Sequence, residues 1–312
     1  MISTSRVRYT GVYRKFRDKI MNTTIKILFR KNGGCYITEE DWDHLIILDA
    51  CRYDMFEKEM RNWEIDGQLE YRISRGASTV EFLLENFGNG NFRDIVYITA
   101  NPYVSIYLKE KFYRIIPVWD FGWNEKLNTV PPDATYDAAL NAILKYNEKK
   151  YIIHFMQPHQ PFIRLKIHGT GFSKLREAAK TGGSTELDVD IWQLLKKGKV
   201  NRDIVLQGYI DNLKLVMPYV VKLCQILQGK VVITSDHGNA IGEKLHPLIP
   251  IKIYGHPHGR IRIEALVKVP WFVTEGKGDL KFLESELIRI KARKVKNKLE
   301  AKDEKHHTIN LG

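Results

Sequence analysis

The chain has 312 residues, of which 44% are hydrophobic, and a formal net charge of +12. A chain of this size can form one large buried core. No apolar run approaches the roughly 20 residues that span a bilayer, and no secretory segment follows the polar start. We therefore expect a cytoplasmic protein. The chain is basic but contains no zinc-finger or phosphate-loop motif, so we expect no nucleic-acid partner. Its three cysteines lack metal-type spacing and favour a reducing compartment.

Residues 1–34 form a basic N-terminal segment with nine Lys or Arg and a single acid, Asp18. Apolar residues such as Phe16 and Ile20 are interleaved with these bases. Such a segment can bind an anionic membrane surface, where each base contributes about 1 kcal/mol near the headgroups. It would then hold the protein peripherally at the inner face of the membrane. The alternative is a solvated helix that packs its apolar side against the core.

The first strand signal, residues 44–49, is an apolar run that ends at Asp49. Residues 74–87 then predict a turn that delivers Ser78 and Thr79 to the start of a helix. The positive end of a helix dipole and its free N–H groups attract an anion, and an adjacent metal would lower the pKa of a hydroxyl there. The alternative is that one of these hydroxyls is an ordinary helix N-cap.

Strands are also predicted at residues 94–100, 150–156, 230–236 and 269–273, with helical intervals between them. This alternation indicates a three-layer α/β/α sandwich with a largely parallel central sheet. Asn101 follows the first of these runs, where its amide could donate to a substrate oxygen or, alternatively, form an Asn-Pro turn. Residues 163–200 are rich in Gly and Lys, which suggests a mobile insertion or lid. Residues 276–312 predict a basic C-terminal helix and tail, outside a catalytic domain at 35–275.

The sequence VVITSDHGNAIGE, residues 231–243, ends an apolar run in adjacent Asp236 and His237. A carboxylate oxygen beside an imidazole nitrogen suits zinc or manganese. The alternative is a buried capping Asp beside a surface His. In open α/β sheets the ligand site lies outside the carboxyl ends of the strands, so we expect Asp49 and Asp236 to converge.

These segments resemble the alkaline phosphatase superfamily, including its sulfatase-like branch. Asp49 within LDACRYD resembles the first metal-binding Asp, Thr79 within GASTVEF falls at the metal-bound nucleophile, and Asp236 and His237 match a T-S-D-H-G signature. Three further segments resemble the family: HFMQPHQPF at 154–162, YGHPHG at 254–259 and LVKVPWFV at 266–273. The resemblance covers residues 43–273.

Two departures from the family pattern limit what it implies. Cys51 in CRYD does not fit the sulfatase motif that carries a modified cysteine, so such a sulfatase is not expected. The second metal of many phosphatases is bound through a D-x-x-x-H segment, which has no clear equivalent here. One divalent ion or two is therefore open.

The resemblance implies a metal-dependent hydrolase of phosphate, or else sulfate, esters through a Thr nucleophile, with Ser78 as the competing position. The implied metal ligands are Asp49, Thr79, Asp236 and His237; the catalytic residues are Thr79, His159 and His256; and the substrate-binding residues are Arg52, Asn101, His154 and His258. For Arg52 the alternative is a salt bridge with Asp54. The substrate would be a small-molecule or a glycan- or lipid-linked ester. Alternative functions are transfer of a phospho-headgroup to a glycan or lipid, and a non-catalytic scaffold at a membrane-associated glycan assembly site.

Overall fold

The computed structural model describes residues 19, 23–165, 171–182, 190–257 and 261–309, with side chains described up to residue 296. The strands are β1 (His44–Leu48), β2 (Gln68–Ile73), β3 (Phe92–Thr99), β4 (Phe112–Pro117), β5 (Lys150–Phe155), β6 (Gln228–Thr234), β7 (Ala240–His246), β8 (Ile249–Gly255) and β9 (Lys268–Lys277). The helices are α1 (Tyr53–Met60), α2 (Thr79–Phe87), α3 (Pro102–Tyr107), α4 (Val118–Phe121), α5 (Pro132–Lys145), α6 (Ser173–Thr181), α7 (Ile191–Lys196), α8 (Arg202–Ile226), α9 (Glu264–Val267) and α10 (Leu280–Ile309).

Seven of the strands form one sheet in the order β2-β9-β6-β1-β5-β3-β4. Strands β6, β1, β5, β3 and β4 are parallel, whereas β9 runs antiparallel between β2 and β6. The central strand β1 is buried along its whole length, as expected for a parallel strand covered on both faces. The three-layer α/β/α class predicted from the strand–helix alternation is confirmed.

Apolar side chains pack on both faces of the sheet. On one face, Phe56 of α1, Tyr136 of α5 and Leu213 of α8 belong to the larger core. On the other face, Phe82 of α2 and Val104 of α3 belong to a separate cluster. Residues that point to alternate faces of one strand belong to different clusters, which follows from the two-residue period of a strand.

Three strand elements are not predicted by the sequence pattern: β2, β4 and the β7–β8 hairpin. All six residues of strand β2 are exposed or half-buried, and the strand lacks an apolar run. Strand β4 lies at the edge of the sheet and is exposed at Tyr113 and Arg114. Pattern recognition favours buried central strands, and both of these strands are only partly covered.

Three of the sequence-based boundaries involve residues outside the described set. Most of the basic segment 1–34 lies there, and only residue 19 and residues from 23 onwards are described. Within 163–200, the described residues form α6 and α7, so the lid interpretation remains a prediction. The C-terminal helix begins at Leu280 and packs through Leu283, Glu286 and Ile290. In the part of the chain that the structure describes, no helix combines the length and apolarity needed to cross a membrane.

Candidate active site

The central strands bring two distant carboxylates to the same edge of the sheet. Asp49 directly follows β1, and Asp236 lies two residues beyond the end of β6. Because β1 pairs in parallel with both β5 and β6, their carboxyl ends meet at one edge. The predicted convergence of Asp49 and Asp236 is therefore present in the structure.

The turn after β1 is shaped to hold Asp236. Ala50 has a φ of 59°, in the left-handed region that costs a non-glycine residue about 1–2 kcal/mol. In this conformation its N–H donates to Asp236 Oδ1 at 2.9 Å, and the N–H of Cys51 donates to Ser235 Oγ at 2.8 Å. The Tyr209 hydroxyl donates to the Ala50 carbonyl oxygen. The strained turn therefore joins the ends of β1 and β6 and fixes the orientation of the Asp236 carboxylate.

Thr79 is the first residue of α2, and its hydroxyl faces the carboxylate site rather than capping the helix. Thr79 Oγ1 donates to Asp236 Oδ2 at 2.7 Å and lies 3.3 Å from His237 Nε2. Ser78 occupies the N-cap position in an extended conformation, and its side chain makes no cap hydrogen bond. Of the two candidate nucleophiles, the structure thus places Thr79 against Asp236 and His237.

One ring nitrogen of His237 faces the Thr79 hydroxyl and the Asp236 carboxylate. Its Nδ1 lies 2.9 Å from the Gly238 carbonyl oxygen, an acceptor only, so Nδ1 carries the proton and Nε2 carries a lone pair. Nε2 lies 3.5 Å from Asp236 Oδ2 and 4.0 Å from Asp49 Oδ1. A backbone carbonyl that fixes the tautomer in this way is a common support for a metal-binding histidine.

Asp49 is buried among nitrogen donors. Asn101 Nδ2 donates to Asp49 Oδ2 at 2.6 Å, and His154 Nε2 lies 3.5 Å from the same oxygen. Burial alone raises the pKa of Asp49, but His154, His159 and His237 lower it by more, so the pKa lies below its ordinary value. Asp49 is therefore a buried anion.

The donor set fits a divalent cation. Asp49 Oδ1 and His154 Nε2 are buried without a hydrogen-bond partner among the described residues, which is costly unless something else satisfies them. One ligand atom from each of Asp49, His154 and Asp236 lies within 4.8 Å of the others. Mixed carboxylate oxygen and imidazole nitrogen ligands suit zinc or manganese. A buried group that could bind a metal is thus present, and it includes His154, which the sequence analysis had assigned to substrate.

Two further histidines lie beside this group. His159 follows β5, and the ring centroids of His159 and His256 are 5.0 Å apart. The centroids of His256 and His237 are 4.5 Å apart, and His256 Nδ1 lies 2.7 Å from Asn239 Oδ1. His159 Nδ1 lies 2.8 Å from the carbonyl oxygen of Gln160. Both rings are therefore oriented through Nδ1, and both line the adjoining cleft.

The cleft over this site has a volume of about 260 Å³. Asp49, Thr79, Asn101, His159 and His256 are among the residues that line it. The other lining residues are Ser78, Val80, Tyr103, Gln160, Gly171, Phe172, Asp190, Trp192, Gln193, Tyr254 and Pro257. A cleft lined by a few polar groups together with aromatic side chains is typical of a small-molecule or headgroup site.

Of the predicted substrate residues, Arg52 makes its contacts outside the cleft, Asn101 lines the cleft and binds Asp49, and one lies outside the described residues. Arg52 is not part of the cleft lining: its guanidinium binds Asp54 at 2.8 Å and also binds Glu243 and the Asn239 carbonyl oxygen. The salt bridge weighed as its alternative is therefore present. Asn101 accepts from the Tyr103 N–H as the N-cap of α3 and donates to Asp49, so its amide orients a carboxylate. His258 is outside the described residues.

The sequence analysis overlooked Tyr97, Asn239, Asp190 and Trp192. Tyr97 Oη lies 3.1 Å from His154 Nδ1. It occupies an ordinary apolar-looking strand position, so the pattern alone held no signal for it. Asp190 and Trp192 reach the cleft because Gln160 binds the start of α7, a contact between distant segments. The sequence signal for Asn239 was its position in the loop after Asp236.

No family model matches the chain, and no curated protein matches it. Among solved structures, it is similar to the integral membrane lipooligosaccharide phosphoethanolamine transferase A from Neisseria meningitidis, with 12% identity and a TM-score of 0.46 over 77% of this chain and 49% of that one. The chain thus spans about half the length of that protein. It is also similar to the C-terminal periplasmic domain of EcEptC from Escherichia coli in complex with Zn (9% identity, TM-score 0.43, 80% of this chain and 78% of that chain).

A third similar structure is described as a protein in the alkaline phosphatase superfamily, from Vibrio parahaemolyticus, with 10% identity and a TM-score of 0.40 over 76% of this chain and 60% of that chain. This description names the superfamily that the sequence motifs indicated. At such identities the likeness concerns the fold, and TM-scores below 0.5 carry no inference about activity.

Proposed function

We propose that the chain is a metal-dependent enzyme that transfers a phospho group from an ester to Thr79 and then to an acceptor. The observation that carries this proposal is the position of Thr79 Oγ1, within 2.7 Å of Asp236 Oδ2 and 3.3 Å of His237 Nε2 at the start of a helix. A hydroxyl nucleophile needs an adjacent base or cation, and a phosphate oxygen is favoured at a helix N-terminus. Both requirements are met at one point.

Asp49, Thr79, Asp236 and His237 would hold the divalent ion. When bound, such an ion lowers the pKa of the Thr79 hydroxyl and offsets charge on the phosphate oxygens. The lone pair of His237 Nε2 is available to that ion, as is Asp49 Oδ1, which has no hydrogen-bond partner among the described residues. Zinc or manganese is the proposed ion, because the donors are oxygen and imidazole nitrogen.

In the first step Thr79 Oγ1 bonds to phosphorus as the bond between phosphorus and the leaving alcohol oxygen breaks. The hydroxyl proton passes to Asp236 Oδ2, its hydrogen-bond acceptor. The leaving oxygen takes a proton from Nε2 of His159 or His256, the imidazoles that line the cleft with Thr79; because Nδ1 of each ring faces an acceptor oxygen, the proton donor is the imidazolium form. Proton transfer from a positioned imidazole contributes typically about 10²–10⁴-fold to such reactions.

Hydrolysis and headgroup transfer share this first step and differ only in the acceptor, which is water in one case and an alcohol in the other. The sequence analysis put hydrolysis first and transfer to a glycan or lipid second. Our proposal is phospho-group transfer with either acceptor, from a small-molecule or a glycan- or lipid-linked ester. A peripheral position at an anionic membrane surface through residues 1–34 belongs to the same proposal.

The test is to trap the covalent intermediate. Metal-loaded protein is mixed with p-nitrophenyl phosphate, quenched in acid and digested, and the peptide that contains Thr79 is examined by mass spectrometry. We expect a phospho group on Thr79, release of p-nitrophenol, loss of both in Thr79→Ala and partial activity in Thr79→Ser. The matched control is Ser78→Ala, which removes the neighbouring hydroxyl and should leave turnover within about threefold.

A phospho group on Ser78, or full turnover by Thr79→Ala, would contradict the assignment of the nucleophile. Turnover by wild type without any phosphopeptide would contradict the covalent route. The acceptor is then decided by adding glycerol to the reaction: an alcohol acceptor diverts product from inorganic phosphate to glycerol phosphate in proportion to its concentration, whereas a strict hydrolase yields inorganic phosphate throughout.

A further inference from the structure

A second groove lies at the edge of the sheet, beside β4, and takes no part in the proposed chemistry. This β4 groove lies between residues 114–117 of β4 and residues 138–146 at the end of α5, with Phe121 and Lys294 beside them. Its volume is about 460 Å³. Among the described residues, none lines both the β4 groove and the cleft at Thr79. A ligand in this groove would therefore bind apart from the catalytic site.

The β4 groove has an apolar surface that is open to solvent. Ile116 and Pro117 of β4 line it together with Ala138 and Ala142 of α5, and Phe121 of α4 completes this surface. Phe121 is 65% exposed, although phenylalanine is among the residues that are most often buried. Contact with a hydrocarbon chain would remove this apolar area from water, which is favourable.

Three cationic side chains from three different elements line the same groove. Arg114 comes from β4, Lys145 from α5 and Lys294 from α10. None of the described residues that line the groove is acidic, and none of these three cations forms an ion pair within the part of the chain that the structure describes. Lys145 Nζ instead lies 5.3 Å from the centre of the Tyr146 ring. The groove therefore carries positive charge that no described carboxylate neutralises.

Two carboxylates of α5 contact α10, but they bind the arginine that precedes Lys294. Arg293 Nη1 lies 3.4 Å from Asp133 Oδ2, and Arg293 Nη2 lies 2.5 Å from Asp137 Oδ2. These ion pairs hold α10 against α5. Lys294 is thereby positioned at the groove without an ion pair of its own.

The apolar surface and the cations together favour an anionic lipid as the occupant. An inorganic anion would leave the apolar surface in water, and a zwitterionic lipid would leave the cations without compensating charge. Residues 1–34 carry a net charge of +8 and a second copy of the chain carries +12, so the groove repels both. A peptide strand added to the edge of β4 would be held by backbone hydrogen bonds, whereas α4, α5 and α10 supply much of the groove.

We propose that the β4 groove binds the anionic headgroup and an acyl chain of a membrane lipid. This is a membrane contact separate from residues 1–34. Strand β4 pairs in parallel with β3, and β3 pairs in parallel with β5, so Pro117 lies at the edge of the sheet that carries the cleft. A lipid bound here would hold that edge of the sheet near the membrane surface.

The experiment measures binding of short-chain lipids to the metal-free, full-length chain by titration calorimetry. Dihexanoyl phosphatidylglycerol is the anionic probe, and dihexanoyl phosphatidylcholine is the zwitterionic control with the same chains; both are used as monomers. We expect one phosphatidylglycerol per chain, bound about 25-fold more tightly than phosphatidylcholine, since each of two cations near a headgroup contributes about fivefold. Dioctanoyl phosphatidylglycerol should bind about 10-fold more tightly still, because two further methylenes of one chain leave water.

Arg114→Gln and Lys145→Gln should each weaken phosphatidylglycerol binding about fivefold and leave phosphatidylcholine binding unchanged. Phe121→Ala should weaken binding of both lipids about fivefold, because it removes a contact with the chain. The matched control is Lys109→Gln, which removes an exposed cation outside the groove and should bind as wild type does. Residues 1–34 are present in every variant, so their contribution is common to all.

Equal affinity for the two lipids, equal losses in Lys109→Gln and the two groove variants, or unchanged binding by Phe121→Ala would overturn this inference. Tighter binding of a hexaglutamate peptide than of phosphatidylglycerol would overturn it in favour of an acidic protein partner. The thermal midpoint of each variant, expected to equal that of wild type, excludes misfolding as the cause of a loss. Turnover of p-nitrophenyl phosphate by the metal-loaded variants, also expected to equal that of wild type, separates failure of lipid binding from failure of the proposed function.

Discussion

Thr79 donates a 2.7 Å hydrogen bond to Asp236, a residue 157 positions later in the chain. The bond joins the first turn of α2 to the loop after β6, and both groups are buried. It places a hydroxyl where a carboxylate and an imidazole converge.

Asp236→Asn should abolish stoichiometric metal binding while the fold is kept. Asparagine preserves the shape of the side chain and still accepts from the N–H groups of Ala50 and His237, but it lacks the ligand charge. Elemental analysis after dialysis with zinc or manganese measures the bound ion. The thermal midpoint should also lose its dependence on metal, because an ion bound only by the native state stabilises it.

Asp54→Asn is the matched control for that substitution. Asp54 binds Arg52 outside the cleft and is 55% exposed, so its variant should bind metal as wild type does. Retention of one equivalent of metal by both Asp49→Asn and Asp236→Asn would show that the ion lies elsewhere.

Tyr97→Phe should change the proton position on His154. Burial raises the pKa of Tyr97 well above its ordinary value, so the hydroxyl is neutral, and its described acceptor is His154 Nδ1 at 3.1 Å. With the Tyr97 hydroxyl as donor, His154 Nδ1 accepts, and the ring proton lies on Nε2, 3.5 Å from Asp49 Oδ2. In that tautomer His154 Nε2 cannot also be a metal ligand, so we expect the ion to be held by Asp49, Thr79, Asp236 and His237 and not by the buried group that includes His154.

Nitrogen-15 NMR of the metal-free protein measures the tautomer directly. We expect the Nε2–H form in wild type, a mixture in Tyr97→Phe and a loss of about 1–3 kcal/mol in unfolding free energy from the unsatisfied nitrogen. Tyr151→Phe, which removes another buried-ring hydroxyl bound to the Tyr146 carbonyl oxygen, is the control and should leave the His154 signal unchanged. A wild-type Nδ1–H tautomer would contradict the prediction.

Of the site, the sequence indicated the residues that end buried strands or begin a helix after a turn. Asp49, Thr79, Asp236 and His237 fall into this group because their local pattern is strong, and the parallel sheet brings them together. Asp190 and Trp192 could not be predicted, since their position depends on Gln160, from another segment. Arg52 was assigned by resemblance, and its neighbours Asp54 and Glu243 hold it outside the cleft. Strand β2 was not predicted because its residues carry no strand pattern of their own. It is a strand only through its pairing at the edge of the sheet.

His44 should make the protein less stable in mild acid. Its Nδ1 accepts from the Tyr151 N–H at 3.2 Å and its Nε2 lies 3.1 Å from the Gln228 carbonyl oxygen, so only the neutral ring satisfies both contacts. Burial lowers its pKa to about 4. The unfolded state, with a pKa of about 6.5, therefore binds the proton first, and stability is lost as pH falls from about 6.5 to about 4.

The full effect is on the order of 3 kcal/mol for a shift of this size. Urea unfolding at a series of pH values measures it. His44→Asn, which keeps an acceptor and does not titrate, should flatten the slope between pH 6.5 and 4. The same slope in wild type and His44→Asn would refute the assignment, and His246→Asn on the β7–β8 hairpin is the control that should retain the slope.

Deletion of residues 1–34 should weaken binding to anionic vesicles. The segment contributes +8 of the chain's formal charge of +12, and such attraction is screened by salt. Sedimentation with vesicles that contain phosphatidylserine measures it, with uncharged phosphatidylcholine vesicles as the control. Turnover of p-nitrophenyl phosphate should be retained, and undiminished sedimentation of the truncated protein would assign the segment to packing alone.

The Ala50 turn also determines when the site can form during synthesis. The Ala50 N–H donates to Asp236, which lies 186 residues further along the chain. This hydrogen bond therefore cannot form until the ribosome has added that length of chain. At about 5–20 residues per second this takes on the order of 10–40 s. A nascent chain that already contains Asp49 and Thr79 therefore lacks the assembled metal site. The left-handed turn at Ala50 gains the hydrogen bond to Asp236, which offsets its strain, only when β6 joins the sheet. Newly made protein should consequently acquire metal late, after the last strands have paired.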